Sequence, residues 1–193
     1  LAKVWARLAQ GKVGLVITGH TYVSPEGIAV PRQLGLSTDE HTRSLAEMVN
    51  MVHDADGRIA VQISHGGCYA LQLPNVTRLG PSTTESKGEI QCKEMTQKDI
   101  QRIVSQFSEA AGRAKASGCD AVQIHAGHGY LLSQFLSPFF NRRKDDYGGR
   151  LENRARLLLE VVQAVRHKVG ERFPLLVKLN SQDYLEGGFT VED

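Results

Sequence analysis

The stretch with the clearest chemical potential holds two histidines and a tyrosine. His125, His128 and Tyr130 follow Ala121–Ile124, an apolar run typical of a buried strand. Two imidazoles about one turn apart can donate N–H groups to the same oxygen, and a phenol beside them can deliver a proton. Stabilisation of an enolate oxygen and protonation of the neighbouring carbon need these groups. The spacing therefore favours acid–base chemistry.

Three other interpretations of this stretch stay open. His125 and His128 could form a metal-binding pair, although the sequence offers no matched carboxylate or third ligand, and we predict no metal. Both could instead be core histidines whose ring nitrogens are satisfied internally. Tyr130 could be a packing residue with a solvated hydroxyl.

The elements that must position these residues are apolar strands alternating with amphipathic helices. Four runs are apolar almost throughout, which is typical of parallel strands covered on both faces. The predicted strands are Val13–Thr18, Ile59–Ser64, Ala121–Ile124 and Leu175–Leu179.

Residues with helical spacing separate these strands, and end signals mark the helices. Ser37 and Glu40 have capping-box spacing before one helical pattern, and Thr96 and Asp99 have it before the next. Glycines at 118 and 170 stand where two of the patterns stop. Each strand is therefore expected to lead into a helix.

Strand–helix repetition predicts an α/β fold with a parallel sheet and right-handed crossovers. An eight-stranded (β/α)8 TIM barrel typically takes about 250 residues, so four units are about half of one. A helical pattern with Val4 and Leu8 precedes the first strand, and Thr190–Asp193 resembles the start of another helix. We expect residues 1–193 to be an internal fragment of a barrel domain truncated at both ends.

Polar side chains follow each predicted strand. His20 follows the first, Gln62 and His65 lie at the end of the second, and Lys178 lies in the fourth. Active sites of parallel barrels form at the carboxyl ends of the strands, so we expect these groups to converge with His125 on one pocket. A serine nucleophile at position 64 with His65 as its base is a weak alternative, because adjacent strand residues point to opposite faces.

Two further stretches are predicted to be structural or to cover the site. Leu71–Glu94 has neither helical nor strand periodicity, and we expect a loop over the barrel mouth. Asn141, Arg143, Asp145 and Tyr147 lie beyond a strand end, and their spacing favours bracing of a loop over chemistry.

Composition excludes several classes of protein. Lys and Arg number 23 against 21 Asp and Glu, a formal charge of +2, so nothing points to nucleic acid or an anionic membrane. No apolar run reaches the roughly 18 residues of a membrane helix. Cys68, Cys92 and Cys119 are odd in number and lack a C-x-x-C pair, which argues against a disulfide scaffold and favours a reducing cytoplasm. The expected partner is a small-molecule substrate, and a homo-oligomer is left open.

Longer motifs resemble one family. The run AVQIHAGHGYLLSQFLSP at 121–138, the run NRRKDDYGG at 141–149 and ENR at 152–154 resemble the Old Yellow Enzyme family of NADH:flavin oxidoreductases. Gln62 with the HGG of 65–67, and VKLN at 177–180, fit the same family. The nearest likeness is to the branch of ene-reductases and 2,4-dienoyl-CoA reductases. The resemblance implies an FMN-bound (β/α)8 barrel.

The resemblance also implies roles for five residues. Gln62 would bind the pyrimidine edge of FMN, and Lys178 would lie beside flavin N1 and O2, where many members have arginine. His125 and His128 would bind the substrate carbonyl, and Tyr130 would be the proton donor. NADH or NADPH would reduce FMN, which would pass hydride to a carbonyl-conjugated alkene. From the residues alone, a buried, internally satisfied Gln62 and a solvated Lys178 remain alternatives.

Two departures from the family pattern stand near the expected site. Cys68 replaces a common arginine, and a small apolar filler is its alternative role. His20 replaces a small residue near the flavin, so we expect its backbone rather than its imidazole to matter.

Other functions also remain open at this stage. Amine dehydrogenation or demethylation uses the same barrel, and a truncated barrel could lack catalysis. In the dienoyl-CoA reductase branch an iron–sulfur cluster follows the barrel, outside this segment.

Overall fold

A computed structural model describes residues 1–86 and 88–193. Its centre is a four-stranded parallel sheet in the order β1-β2-β6-β7 with helices in the connections, which confirms the predicted α/β class. A second, three-stranded sheet has the order β3-β5-β4. The strands are β1 Val16–Tyr22, β2 Ile59–Ser64, β3 Leu79–Gly80, β4 Thr84–Ser86, β5 Glu89–Glu94, β6 Ala121–Ala126 and β7 Leu175–Leu179. The helices are α1 Ala2–Gln10, α2 Asp39–His53, α3 Gln97–Ala116, α4 Leu131–Leu136, α5 Leu151–Arg154 and α6 Arg156–Val169.

The helix ends follow the local sequence with one correction. Thr96 and Asp99 form the predicted capping box of α3. The predicted cap of α2 by Ser37 is wrong, because Thr38 is the N-cap and its side chain accepts from the His41 N–H. Gly118 and Gly170 follow α3 and α6 with φ of 84° and 82°, a conformation that glycine adopts without a side-chain clash.

The core lies between the parallel sheet and its helices. Strand β2 is buried along its whole length, as its continuous apolar sequence predicts. Helices α3 and α6 pack against each other and the sheet through residues at helical spacing. Fully buried members of this core include Ile59, Ile63, Ile100, Ile103, Phe107, Ile124 and Leu157. This packing holds the carboxyl ends of the strands in fixed positions.

Strand β1 starts later than predicted. The prediction of Val13–Thr18 stops before His20, whereas the strand continues to Tyr22. Between Ile17 and His20 the register against β2 shifts by one residue, and the Gln62 N–H bonds to Thr18 Oγ1 at 3.0 Å. The shift decides which face of the sheet His20 occupies, as described below.

The segment Leu71–Glu94 is not wholly loop, which corrects the prediction. It forms the small sheet of β3, β4 and β5. Strands β3 and β4 have only two and three residues, whereas the first five of the six residues of β5 alternate between polar and apolar types, a signal that the prediction overlooked. The expectation of no disulfide is also wrong, since Cys68 and Cys92 are disulfide-bonded with their Cα atoms 5.1 Å apart. Cys68 therefore ties the turn after β2 to β5 and is not merely an apolar filler. Cys119 is free and buried.

The polar residues after α4 brace this small sheet, in agreement with the sequence prediction. Arg143 is buried and pairs with Asp145 through two bonds, Nε–Oδ1 at 2.9 Å and Nη2–Oδ2 at 2.6 Å. Its Nη1 also donates to the carbonyls of Pro81 and Met95. Asn141 Nδ2 donates to the backbone on both sides of the turn. One guanidinium thus joins the turn after α4 to the segments before β4 and after β5.

The outer edges of β1 and β7 have no strand partner within the described part of the sheet. Val177 and Leu179 of β7 are about half exposed. None of the helices described is long and apolar enough to cross a membrane.

Candidate functional site

Strand register brings the predicted site residues to one face of the sheet. His20 lies opposite Gln62, and Gln62 lies opposite Gln123. Two residues further along β6, His125 lies opposite Lys178 of β7. Because paired residues of parallel strands point to the same face, these side chains share a face, with Gln62 one layer deeper than His125.

The three residues of the central motif form a cluster of rings. The ring centroid of His125 is 4.9 Å from that of His128 and 5.4 Å from that of Tyr130, both edge-to-face. The side chain of His125 is buried, whereas His128 is exposed and Tyr130 is half-buried. His125 Nδ1 is inaccessible to solvent and has no hydrogen-bond partner within the described residues. A buried ring nitrogen without a partner costs free energy unless a ligand supplies one.

His125 is held neutral. Its pKa is lowered to about 3, mainly by burial, and the neighbouring His128, Lys178 and His20 act in the same direction. A neutral imidazole carries one N–H and one lone pair, so it can donate one hydrogen bond without adding charge.

The backbone after β6 is fixed in an uncommon conformation. His128 has a φ of 58°, which a residue other than glycine rarely adopts. Its N–H donates to Asn180 Oδ1 at 2.9 Å, and Asn180 follows β7. A Cβ at Gly127 would come within 2.8 Å of the same oxygen, so only glycine fits beside it. Asn180 therefore holds the turn that presents His128, as expected of strain maintained at a functional site.

The buried amide of Gln134 connects two loops of the site. Gln134 of α4 accepts from the Cys68 N–H at 3.0 Å and donates to the Gly129 carbonyl at 2.6 Å. A Cβ at Gly67 would collide with this side chain. The amide thus joins the turn after β2 to the turn that carries His128 and Tyr130.

Gln62 and Lys178 lie on the same face of the sheet as His125. Gln62 Nε2 donates to Gln123 Oε1 at 2.5 Å, so the Gln62 amide is oriented within the interior. Lys178 is half-buried, and no carboxylate within the described residues lies within ion-pair distance of its ammonium. An amide and an unneutralised cation fit a flavin ring that becomes anionic on reduction.

The structure places two histidines differently from what the sequence predicts. His65 is fully buried, its Nδ1 accepts from the Gly67 N–H, and burial lowers its pKa to about 4. Its ring packs against Gly27 and not in the ring cluster, so the expectation that His65 converges with His125 is wrong, and within the described residues it forms no dyad with Ser64. His20, whose side chain we expected to be unimportant, lies in the cluster, with its ring centroid 5.1 Å from Tyr130 and 6.1 Å from His125.

Sequence reasoning missed the parts of the site that support the central motif. Asn180 and Gln134 belong to runs that resemble the family, but a run does not show which backbone groups its amides bind. His20 was dismissed because small residues are usual at that place. The available signal was that a polar residue, histidine, stands where many members of the family have a small one.

Comparisons with known proteins identify relatives of the chain. The profile of the NADH:flavin oxidoreductase / NADH oxidase family matches residues 2–193. The NADPH dehydrogenase of Geobacillus thermodenitrificans is 40% identical over 185 residues, which are 96% of this chain and 54% of that protein. The chain thus spans about half the length of such relatives.

Solved structures show the same fold. A 2-naphthoyl-CoA reductase in complex with 2-naphthoyl-CoA aligns with a TM-score of 0.93 and 31% identity, over 99% of this chain and 31% of that one. The Old Yellow Enzyme from Pichia sp. aligns with a TM-score of 0.89 and 29% identity, over 99% of this chain and 53% of that one. The likeness and the coverage confirm a partial barrel of the Old Yellow Enzyme type.

Proposed function

Because the chain belongs to the NADH:flavin oxidoreductase / NADH oxidase family, we propose that its site reduces a carbonyl-conjugated alkene. Family membership supports FMN as the cofactor and NADH or NADPH as the reductant. The observation that carries the proposal is the convergence of His125, His128 and Tyr130 at the carboxyl end of a parallel sheet, with His125 Nδ1 buried and unpartnered. The branch within the family stays a prediction.

The two imidazoles of the motif are the proposed binding groups for the substrate carbonyl. Their rings are 4.9 Å apart and edge-to-face, so N–H groups of His125 and His128 can reach one oxygen between them. Negative charge develops on that oxygen when hydride reaches the β-carbon, and preorganised donors stabilise it most in a site with little water. Because burial keeps His125 neutral, the donor loses no proton to the oxygen it binds.

Tyr130 is the proposed proton donor to the α-carbon. Its ring lies 5.4 Å from His125, so a carbonyl bound at the imidazoles leaves the adjacent carbons within reach of the phenol. Tyr130 is half-buried, which allows the phenolate to recover a proton from solvent after each turnover.

Gln62 and Lys178 would hold FMN through its pyrimidine edge and through the charge at N1 and O2. When bound, FMN would supply the hydride after its reduction by NADH or NADPH. The Lys178 ammonium would favour binding of the anionic reduced form, since no carboxylate among the described residues forms an ion pair with it.

The test separates the two half-reactions in the holoenzyme by stopped-flow absorbance. Tyr130→Phe should slow flavin reoxidation by 2-cyclohexenone by about 10²–10⁴-fold, the usual contribution of a general acid. Flavin reduction by NADPH should change much less, because that step transfers no proton from the phenol.

Tyr147→Phe is the matched control. The Tyr147 hydroxyl bonds to Glu160 Oε1 at 3.1 Å, away from the ring cluster. This variant should keep both rate constants. Equal reoxidation rates in wild type and Tyr130→Phe would show that the phenol is not the proton donor, and an enone that never reoxidises the wild-type flavin would refute the proposed reaction.

A further inference from the structure

The register shift in β1 turns His20 towards the site. Ile17 lies opposite Ala60, and His20 lies opposite Gln62, so three steps along β1 match two steps along β2. Without the extra residue, Gly19 would lie opposite Gln62 and His20 would lie opposite Ile63. The His20 side chain would then point to the face of the sheet that packs against the helices. An extra residue of this kind redirects every later side chain, and such irregularities are common beside active sites.

Gln33 then determines the orientation of the His20 ring. The Ala29 N–H donates to Gln33 Oε1 at 2.7 Å, which identifies that atom as the amide oxygen. Gln33 Nε2 is therefore the donor at the other end, and it bonds to the His20 carbonyl at 3.1 Å and to His20 Nδ1 at 2.9 Å. Nδ1 must accept, so the neutral ring carries its proton on Nε2.

The oriented ring lies against the proposed proton donor. The ring centroids of His20 and Tyr130 are 5.1 Å apart at an interplanar angle of 38°. Burial lowers the pKa of His20, and the nearby His128 and Lys178 lower it as well, so the ring stays neutral beside the phenol.

From this chain of contacts we propose that His20 is a positioning residue for Tyr130, held in its Nε2–H tautomer by Gln33. The inference rests on the proposed function, because the position of the phenol affects the rate only if Tyr130 is the proton donor. Misplacement of a reacting group by about 1 Å can cost up to about 100-fold in rate. In this role His20 acts on the phenol through the contact between the two rings.

The kinetic test is a double-mutant cycle on the holoenzyme. His20→Ala should slow flavin reoxidation by 2-cyclohexenone about tenfold and slow reduction by NADPH much less. In a Tyr130→Phe background the same substitution should cost less than about twofold, because residues that act through one another are not additive. Gln33→Leu should give a smaller loss with the same pattern, and it leaves the His20 side chain in place.

A spectroscopic test does not depend on turnover. Nitrogen-15 spectra of the histidine rings should show His20 protonated on Nε2 in wild type and a mixture of tautomers in Gln33→Leu. In protein with carbon-13-labelled tyrosine, the aromatic signal of Tyr130, identified by its absence in Tyr130→Phe, should move towards the averaged position of a mobile ring in His20→Ala.

The outcomes separate the two proposals. An equal loss from His20→Ala with and without the phenol hydroxyl, an Nδ1–H tautomer, or an unmoved Tyr130 signal would overturn the inference while leaving enone reduction intact. If the wild-type flavin is not reoxidised by the enone, the proposed function fails, and the two spectra still decide whether His20 positions Tyr130.

Discussion

The neutral state of His125 predicts a specific acid sensitivity. Its pKa is about 3 in the folded protein, mainly because of burial, against 6.5 for a solvated histidine. Below pH 6.5 the unfolded chain therefore binds a proton that the folded chain does not bind. The contribution of His125 to stability is complete above 6.5 and is lost as the pH falls towards 3.

The magnitude follows from this shift. Each pH unit between the two pKa values costs about 1.4 kcal/mol of unfolding free energy. From about pH 7.5 to about pH 5, the loss due to His125 is about 2 kcal/mol, because the first part of the interval lies above 6.5. His65, whose pKa of about 4 also results from burial, acts in the same direction in wild type and variant. Therefore only the difference between wild type and variant in the loss of unfolding free energy reports on His125.

The assay is urea unfolding at several pH values, at a fixed excess of FMN, for wild type and His125→Asn. Whatever its absolute stability, the variant should lose about 2 kcal/mol less than wild type over this range. The exposed His167 of α6 supplies the control, since His167→Asn removes an imidazole that stays hydrated in the folded chain. If wild type and His125→Asn lost stability in parallel, His125 would not be held neutral and its proposed role as an uncharged donor would be wrong.

Three further predictions concern the framework. Reduction of the Cys68–Cys92 disulfide, 24 residues apart in sequence, should lower the free energy of unfolding by about 3 kcal/mol by chain-entropy arguments, and a reductant effect that persists in Cys68→Ser/Cys92→Ser would contradict it. Arg143→Lys should lower the free energy of unfolding in urea by about 2–3 kcal/mol. An ammonium cannot form both the paired bonds to the Asp145 carboxylate and the bonds to two backbone carbonyls. An unchanged midpoint would refute the bracing role. The isolated 1–193 polypeptide, whose outer strands have unpaired edges within the described sheet, should self-associate and bind FMN weakly, and a yellow, monodisperse preparation would count against this.

The sequence predicted what depends on local order and missed what depends on contacts between distant segments. Strand β2 and the capping box of α3 are visible because a continuous apolar run and a Thr–Asp spacing are local signals. His125, His128 and Tyr130 were predicted because one strand end and the next turn contain all three. The partners of Gln134, by contrast, lie on another loop, and no spacing rule identifies them.

The two main errors have different origins. The Cys68–Cys92 pair joins residues 24 apart in sequence, and neither the odd cysteine count nor a local spacing shows that the fold brings them together. His20 was misjudged because many members of the family have a small residue at its place, whereas one extra residue in β1 turns this side chain towards the site. Neither the extra residue nor the Thr18 hydroxyl that accepts from the Gln62 N–H has a sequence signature.

The charges of the site separate two functions, stabilisation of negative charge and delivery of a proton. On the proposed mechanism, negative charge develops at the substrate oxygen and at the flavin, while a proton must be delivered to carbon. Burial and the neighbouring His128 and Lys178 lower the pKa values of His20 and His125, so these rings bind or orient without exchanging protons near neutral pH. Lys178 then supplies the fixed positive charge, and a protonated imidazole beside it would be repelled at short range. Proton delivery is left to Tyr130, which explains why its position, more than its acidity, would need a dedicated support.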